Sequence, residues 1–253
     1  MLGHDRIGTG PIRVIVMNDW MADTSTWDGA RRYLDLDAFT WVFADLRGYG
    51  RSKALDGPFN LDQSVTDILA LADPLGWPQF NIVGHSMSTL VAMHLAQHHA
   101  DRIRRVVVLT PAPPAGMGAD DGLVEAIRSL ALADDAARIG NLGQRWGDRL
   151  SAGWVGFKAG QWRSTTNPQA VADYVRMFAA RGLPDPTAMI AAPVLAITGE
   201  EDFEIMRSGA VADLLGPIAK NLSVVPFVQC SHYPMQEMPP LTVATVERFL
   251  RAE

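Results

Sequence analysis

The chain has 253 residues, 48% of them hydrophobic, and a formal net charge of −6. That is enough to bury one large core, and with no basic run and no basic-aromatic interleaving it argues against a nucleic-acid partner. The one cysteine, Cys230, excludes an intrachain disulfide. No apolar run reaches about 18 residues, and the first residues lack a basic stretch followed by an apolar one. Neither a membrane span nor a signal peptide is expected, and a cytoplasmic enzyme is the default reading.

In chain order, IRVIVM (12–17) is a β-branched run suited to a strand buried on both faces. WDGARRYLDL (27–36) reads as a helix and TWVFADL (40–46) as a second strand. DQSVTDILALADPLG (62–76) puts Val65, Ile68, Leu69, Ala72 and Leu75 on one helix face, with Asp62 as N-cap. A third strand, 80–84, leads into a helix over 88–100. Further strands follow at 104–110, 193–198 and 222–227. The last helix, about 240–251, turns Val243, Val246, Phe249 and Leu250 inward. About a dozen residues precede the first central strand, so six strands with a stub beside them are expected.

Strands alternating with helices imply a mostly parallel sheet flanked by helices. The rhythm breaks over 113–190, which holds helical patterns at 121–135 and 167–181 and no strand-like run. Trp146, Trp154, Phe157 and Trp162 lie between those patterns. Residues 115–188 therefore read as a helical cap inserted into an α/β core made of 1–114 and 189–253.

The chemistry is concentrated in FNIVGHSMS (80–88), where an apolar strand meets a helix through Gly84-His85-Ser86-Met87-Ser88. A serine at the tip of such a turn projects from the sheet on a strained backbone, with small residues two positions either side. Ser88 stands where glycine is commoner. A serine nucleophile needs a base, and the base needs an acid to fix its tautomer. Both follow in the order this arrangement requires: Asp202 past the strand at 193–198, and His232 past the strand at 222–227. In an open parallel sheet all three reach the carboxyl edge. Glu201 is the rival acid. His94 and His98 have i,i+4 metal-ligand spacing but no evident third ligand, so no metal site is assigned.

On Gly84-His85-Ser86-Met87, Asp202 in TGEED, His232 in SHYPMQEMP and DLRGYGRS (45–52), the chain resembles the α/β-hydrolase superfamily over nearly its full length. It is most similar to the group of enol-lactone hydrolases, carboxylesterases, haloperoxidase-like perhydrolases and C–C bond hydrolases. The resemblance implies an α/β-hydrolase fold, no metal or organic cofactor, and an oxyanion hole formed by the N–H groups of Trp20 and Met87. It implies a small-molecule substrate, and a homo-oligomer is compatible with it. The site wall is expected from Trp20, Met87, Met117, Trp146, Trp154, Phe157, Trp162, Phe203 and Tyr233, which suits an apolar or aromatic substrate. Asn18-Asp19 replace the family's usual His-Gly before the oxyanion position. The expectation is that Asp19 faces outward, since a carboxylate would oppose a developing oxyanion. Two other readings stay open. One is a cofactor-free ring-cleaving dioxygenase, whose acid by resemblance follows the strand that ends here at Thr110. The other is a small-molecule receptor without turnover.

Overall fold

The computed structural model describes residues 1–146 and 148–252. The apolar runs form strands β1 (His4–Ile7), β2 (Ile12–Met17), β3 (Phe39–Ala44), β4 (Phe80–His85), β5 (Ile103–Leu109), β6 (Val194–Gly199) and β7 (Leu222–Phe227). They pair in one sheet of order β1-β3-β2-β4-β5-β6-β7. All pairs are parallel except β1 against β3. Every residue of β3, β4 and β6 is buried, as continuous apolar strands covered on both faces must be.

The N-terminus corrects the expectation of a stub beside six strands. His4 to Ile7 pair in register with Ala44 to Trp41, giving a seventh strand. The reversal into β2 runs through Gly8 at φ +80, where a Cβ would lie 2.3 Å from the Phe39 carbonyl oxygen. That backbone and that approach admit glycine alone.

The helices are α1 (Asp28–Arg31), α2 (Leu61–Ala72), α3 (Ser88–His98), α4 (Asp121–Leu132), α5 (Asp135–Trp146), α6 (Ala152–Thr165), α7 (Pro168–Arg176), α8 (Ser208–Leu215), α9 (Pro234–Glu237) and α10 (Pro239–Arg251). The helix expected over 27–36 shrinks to α1 behind a 3-10 turn at Thr24–Trp27. Asp35 explains the early stop: its carboxylate accepts the N–H groups of Asp37 and Ala38, a local turn that competes with helix. Asn60, not Asp62, caps α2, its side chain accepting the Gln63 N–H at 2.9 Å. Pro74 lies just past the end of α2, where a helix cannot continue cleanly.

Helices α4 to α7 stand between β5 and β6, where an inserted cap is expected, and are bound to the rest of the chain by polar contacts as well as packing. The Asn167 N–H donates to the Gly48 carbonyl at 2.8 Å, and Lys53 Nζ donates to the Ser164 carbonyl at 2.9 Å. The Tyr174 hydroxyl meets Ser64 Oγ at 3.2 Å. The segment DLRGYGRS is ordered as its residues suggest. Asp45 accepts from Thr24 and from the Arg51 N–H, while Arg47 forms a two-pronged pair with Asp67 on α2. No described helix is long and apolar enough to cross a membrane.

Candidate active site

β4 ends in a turn that only certain residues can make. Ser86 sits at φ 53, in the left-handed region. Gly84 is required by space: a Cβ there would lie 2.7 Å from the Ser88 carbonyl oxygen and 2.8 Å from Thr89 Cα. Ser88 substitutes for the commoner glycine with a gain, since its buried hydroxyl accepts the His85 N–H at 3.0 Å and stitches the turn.

The turn holds Ser86 Oγ 2.9 Å from His232 Nε2, and His232 Nδ1 lies 2.7 Å from Asp202 Oδ2. Asp202 and His232 are both buried, and Ser86 is partly open to the cavity. The other oxygen of Asp202 accepts the Phe203 N–H at 2.8 Å. The rival acid, Glu201, is exposed, so the structure brings Asp202 rather than Glu201 to the imidazole. The backbone of His232 is also braced. Its carbonyl receives His85 Nε2 at 2.7 Å and Thr110 Oγ1 at 3.2 Å. Glu237 accepts the N–H groups of Ser231 and Tyr233 and pairs with Arg149, which shapes the loop carrying the histidine. Such a chain of hydroxyl, imidazole and carboxylate can move a proton off the serine and hold the resulting imidazolium.

These groups face a cavity of about 200 Å³ lined by Trp20, Met21, Ala112, Met117, Trp146 and Phe178 among others. Larger surface grooves of about 610 and 940 Å³ contain none of these groups. Of the residues expected in the wall, Trp20, Met117, Trp146, Phe203 and Tyr233 line the cavity. Trp146 stacks over the His232 ring with centroids 6.1 Å apart.

Four expected wall residues, Met87, Trp154, Phe157 and Trp162, do not line the cavity; Met87 is buried in the turn into α3. Phe157 is on the outer face of α6 and 56% exposed. Trp162 is fully buried behind Trp20, with ring centroids 5.3 Å apart, and so packs the cap rather than contacting the cavity. Trp154 sits edge-on to Trp146 and donates to Gln236, supporting the wall from behind. The reason is helical geometry: positions 154, 157 and 162 on one helix cannot all point the same way. Residues absent from the sequence reading also line the cavity: Leu123, Ile127, Arg145 and Met206. For Leu123 and Ile127 the only signal in the sequence was the helical pattern of 121–135, which does not say what the helix faces; Arg145 and Met206 lie outside it.

Asp19 overturns the expectation that it faces solvent. It is 1% exposed and lines the cavity. Its Oδ1 accepts the N–H groups of Met21 and Ala22, and its Oδ2 lies 3.2 Å from Lys158 Nζ and 3.5 Å from His85 Nδ1. Burial would raise the Asp19 pKa, but the Lys158 ammonium, His85 and the Met21 N–H outweigh it and hold the carboxyl well below the usual range. Burial lowers the pKa of His85, against the opposing pull of Asp19. Neither the Trp20 nor the Met87 backbone N–H finds an acceptor among the described residues. The His94 and His98 rings touch on α3 with centroids 4.4 Å apart, and among the described residues no group of three ligating side chains gathers there or elsewhere.

The sequence profile described as alpha/beta hydrolase fold matches residues 20–205, and the chain belongs to that family. Among known proteins, it is 34% identical over 103 residues to 3-oxoadipate enol-lactonase 2 of Acinetobacter baylyi, covering 41% of this chain and 38% of that protein. It is 25% identical over 236 residues to a non-heme haloperoxidase of Rhodococcus erythropolis, covering 87% of this chain and 85% of that protein. The first of these alignments thus spans well under half of the relative's length. The solved enol-lactonase from Burkholderia xenovorans LB400 superposes with a TM-score of 0.83 at 23% identity, over 99% of this chain and 96% of that one.

Proposed function

We propose that the chain is a serine hydrolase that cleaves a small, largely apolar or aromatic ester, lactone or vinylogous carbonyl compound. The observation that carries this reading is the unbroken contact chain from Ser86 Oγ through His232 to Asp202, set at the end of an apolar cavity. Ser86 adds to the carbonyl carbon while His232 accepts its proton. The tetrahedral oxyanion is held by the Trp20 and Met87 N–H groups, neither of which has another acceptor among the described residues. His232 returns the proton to the leaving oxygen or carbon, and water, activated by the same imidazole, releases the acyl group from Ser86. A screen of p-nitrophenyl esters, lactones and aryl diketones, with intact-mass detection of fluorophosphonate labelling at Ser86, tests the proposal. No labelling and no turnover across that panel would reject it. A receptor that shares the fold would label without turning over.

Thr110 supports hydrolysis over the ring-cleaving dioxygenase reading. Thr110-Pro111-Ala112 stand where that reading needs a carboxylate, and the Thr110 hydroxyl is committed to the His232 carbonyl.

Asp202→Asn should lower kcat about 10²-fold to 10⁴-fold on p-nitrophenyl acetate, because the amide no longer holds the required tautomer or stabilises the imidazolium. Glu201→Gln should leave kcat within about twofold, since surface changes away from the site have small effects. A larger loss from Glu201→Gln than from Asp202→Asn would reverse the assignment.

The cavity also has a charge preference. Asp19 is neutralised by Lys158, whereas Arg145 has no carboxylate within 4 Å among the described residues. Its guanidinium lies 5.3 Å from the Phe203 ring and 6.0 Å from the Trp146 ring, and the residue stays open to solvent. A substrate with an acidic group at the cavity mouth would pair with it. Arg145→Met should lower kcat/KM about tenfold for the p-nitrophenyl monoester of glutarate, worth about 1.4 kcal/mol, and change the pentanoate ester less than about twofold. An equal loss on both esters would remove this role from Arg145.

A further inference from the structure

Asp19 and Lys158 have no place in the serine chemistry, yet both are almost completely buried beside it. Lys158 is 0% exposed, on cap helix α6, and its ammonium reaches Asp19 Oδ2 at 3.2 Å, Gln161 Oε1 at 3.1 Å and Thr26 Oγ1 at 3.4 Å. It also lies 4.3 Å from the centroid of the Tyr233 ring, which lines the cavity. A buried charge pair seldom repays its desolvation through stability alone, and breaking it by removing one partner is costly. Its place in the fold suggests another use.

Trp20 is pinned on every side except its own N–H. The Tyr49 hydroxyl donates to the Trp20 carbonyl at 2.9 Å, and the indole Nε1 donates to the Val171 carbonyl of α7 at 2.7 Å. The next two N–H groups, of Met21 and Ala22, both turn onto Asp19 Oδ1. Those two bonds to one side-chain oxygen set the direction of the chain after Trp20. One of the pins, the Val171 carbonyl, comes from the cap, as does Lys158, which pairs with Asp19. The carboxylate that shapes the loop would also oppose an oxyanion in the same cavity unless its charge were cancelled.

We propose that Lys158 is a positioning residue: by neutralising Asp19 from the cap, it lets a carboxylate order the oxyanion loop without repelling the anion that forms there. The cap is thus part of the oxyanion apparatus as well as a wall of the cavity. This inference rests on the serine-hydrolase reading.

The test compares wild type, Lys158→Met and the double variant Asp19→Asn/Lys158→Met. The readouts are kcat and KM on p-nitrophenyl acetate, the rate of fluorophosphonate labelling at Ser86, and the melting temperature. Lys158→Met should slow both kcat and labelling about 30-fold or more, the scale of losing a good part of one oxyanion donor, with KM within about threefold. The double variant has no bare carboxylate and should recover at least about tenfold of that loss. A folded Lys158→Met protein with labelling within about threefold of wild type would overturn the inference. So would a double variant no faster than the single one, because a purely structural pair would move melting temperature without this rescue of rate. If Lys158→Met does not fold, the double variant decides alone: labelling within about 30-fold of wild type supports the inference, and slower labelling overturns it. Wild-type protein that neither labels nor turns over an ester overturns the hydrolase reading, and this inference with it. Labelling wild type with an unaffected Lys158→Met overturns the inference alone.

Discussion

Ser86→Ala should abolish ester turnover, with a loss of roughly 10³-fold or more, while the protein stays folded. The asymmetry follows from what each atom does. The backbone of the turn is set by the close approach of Gly84 to Ser88 and Thr89 and by the Ser88 hydroxyl, none of which the substitution touches. The Ser86 hydroxyl itself hydrogen-bonds to His232 and, among the described residues, to no other group. Alanine tolerates the left-handed backbone at this position about as well as serine, so the melting temperature should move by no more than about 3 °C. Activity on p-nitrophenyl acetate and thermal unfolding read the two effects separately. More than a tenth of wild-type turnover in a folded Ser86→Ala protein would remove Ser86 from the chemistry.

His232→Ala should cost as much turnover as Ser86→Ala, and the double variant should be scarcely slower than either single one. A nucleophile and its base act as a unit, so once one is gone the other has nothing left to contribute. Unlike Ser86→Ala, this substitution should also destabilise the protein, by about 1–3 kcal/mol. It leaves the buried Asp202 carboxylate with the Phe203 N–H and without its imidazole, and an unpaired buried acceptor pays its desolvation in full. Additive losses of activity in the double variant would show that His232 acts separately from Ser86. Denaturant unfolding gives the stability term.

The serine turn, the alternating strands and helices, and the order Ser86, Asp202, His232 are local features. Each is encoded within a few adjacent residues: an apolar run, a glycine at the point of close approach, and a polar residue just past a strand's end. Because the strands run parallel, those ends meet at one edge whatever the cap does, so these three residues could be read together before any coordinates. The fate of Asp19 could not. Nothing near residue 19 signals that its charge is answered by Lys158, 139 positions away on a cap helix. Sequence reasoning placed the carboxylate outward because it weighed the charge without its partner. The cap aromatics show the same limit. Composition identified a tryptophan-rich insert, but only packing put Trp146 over the histidine, Trp162 behind Trp20 and Phe157 in solvent. The physical reason is one of range. Backbone periodicity and turn sterics act between neighbours in the chain, whereas burial and ion pairing depend on which distant surfaces meet, and tertiary structure alone decides that.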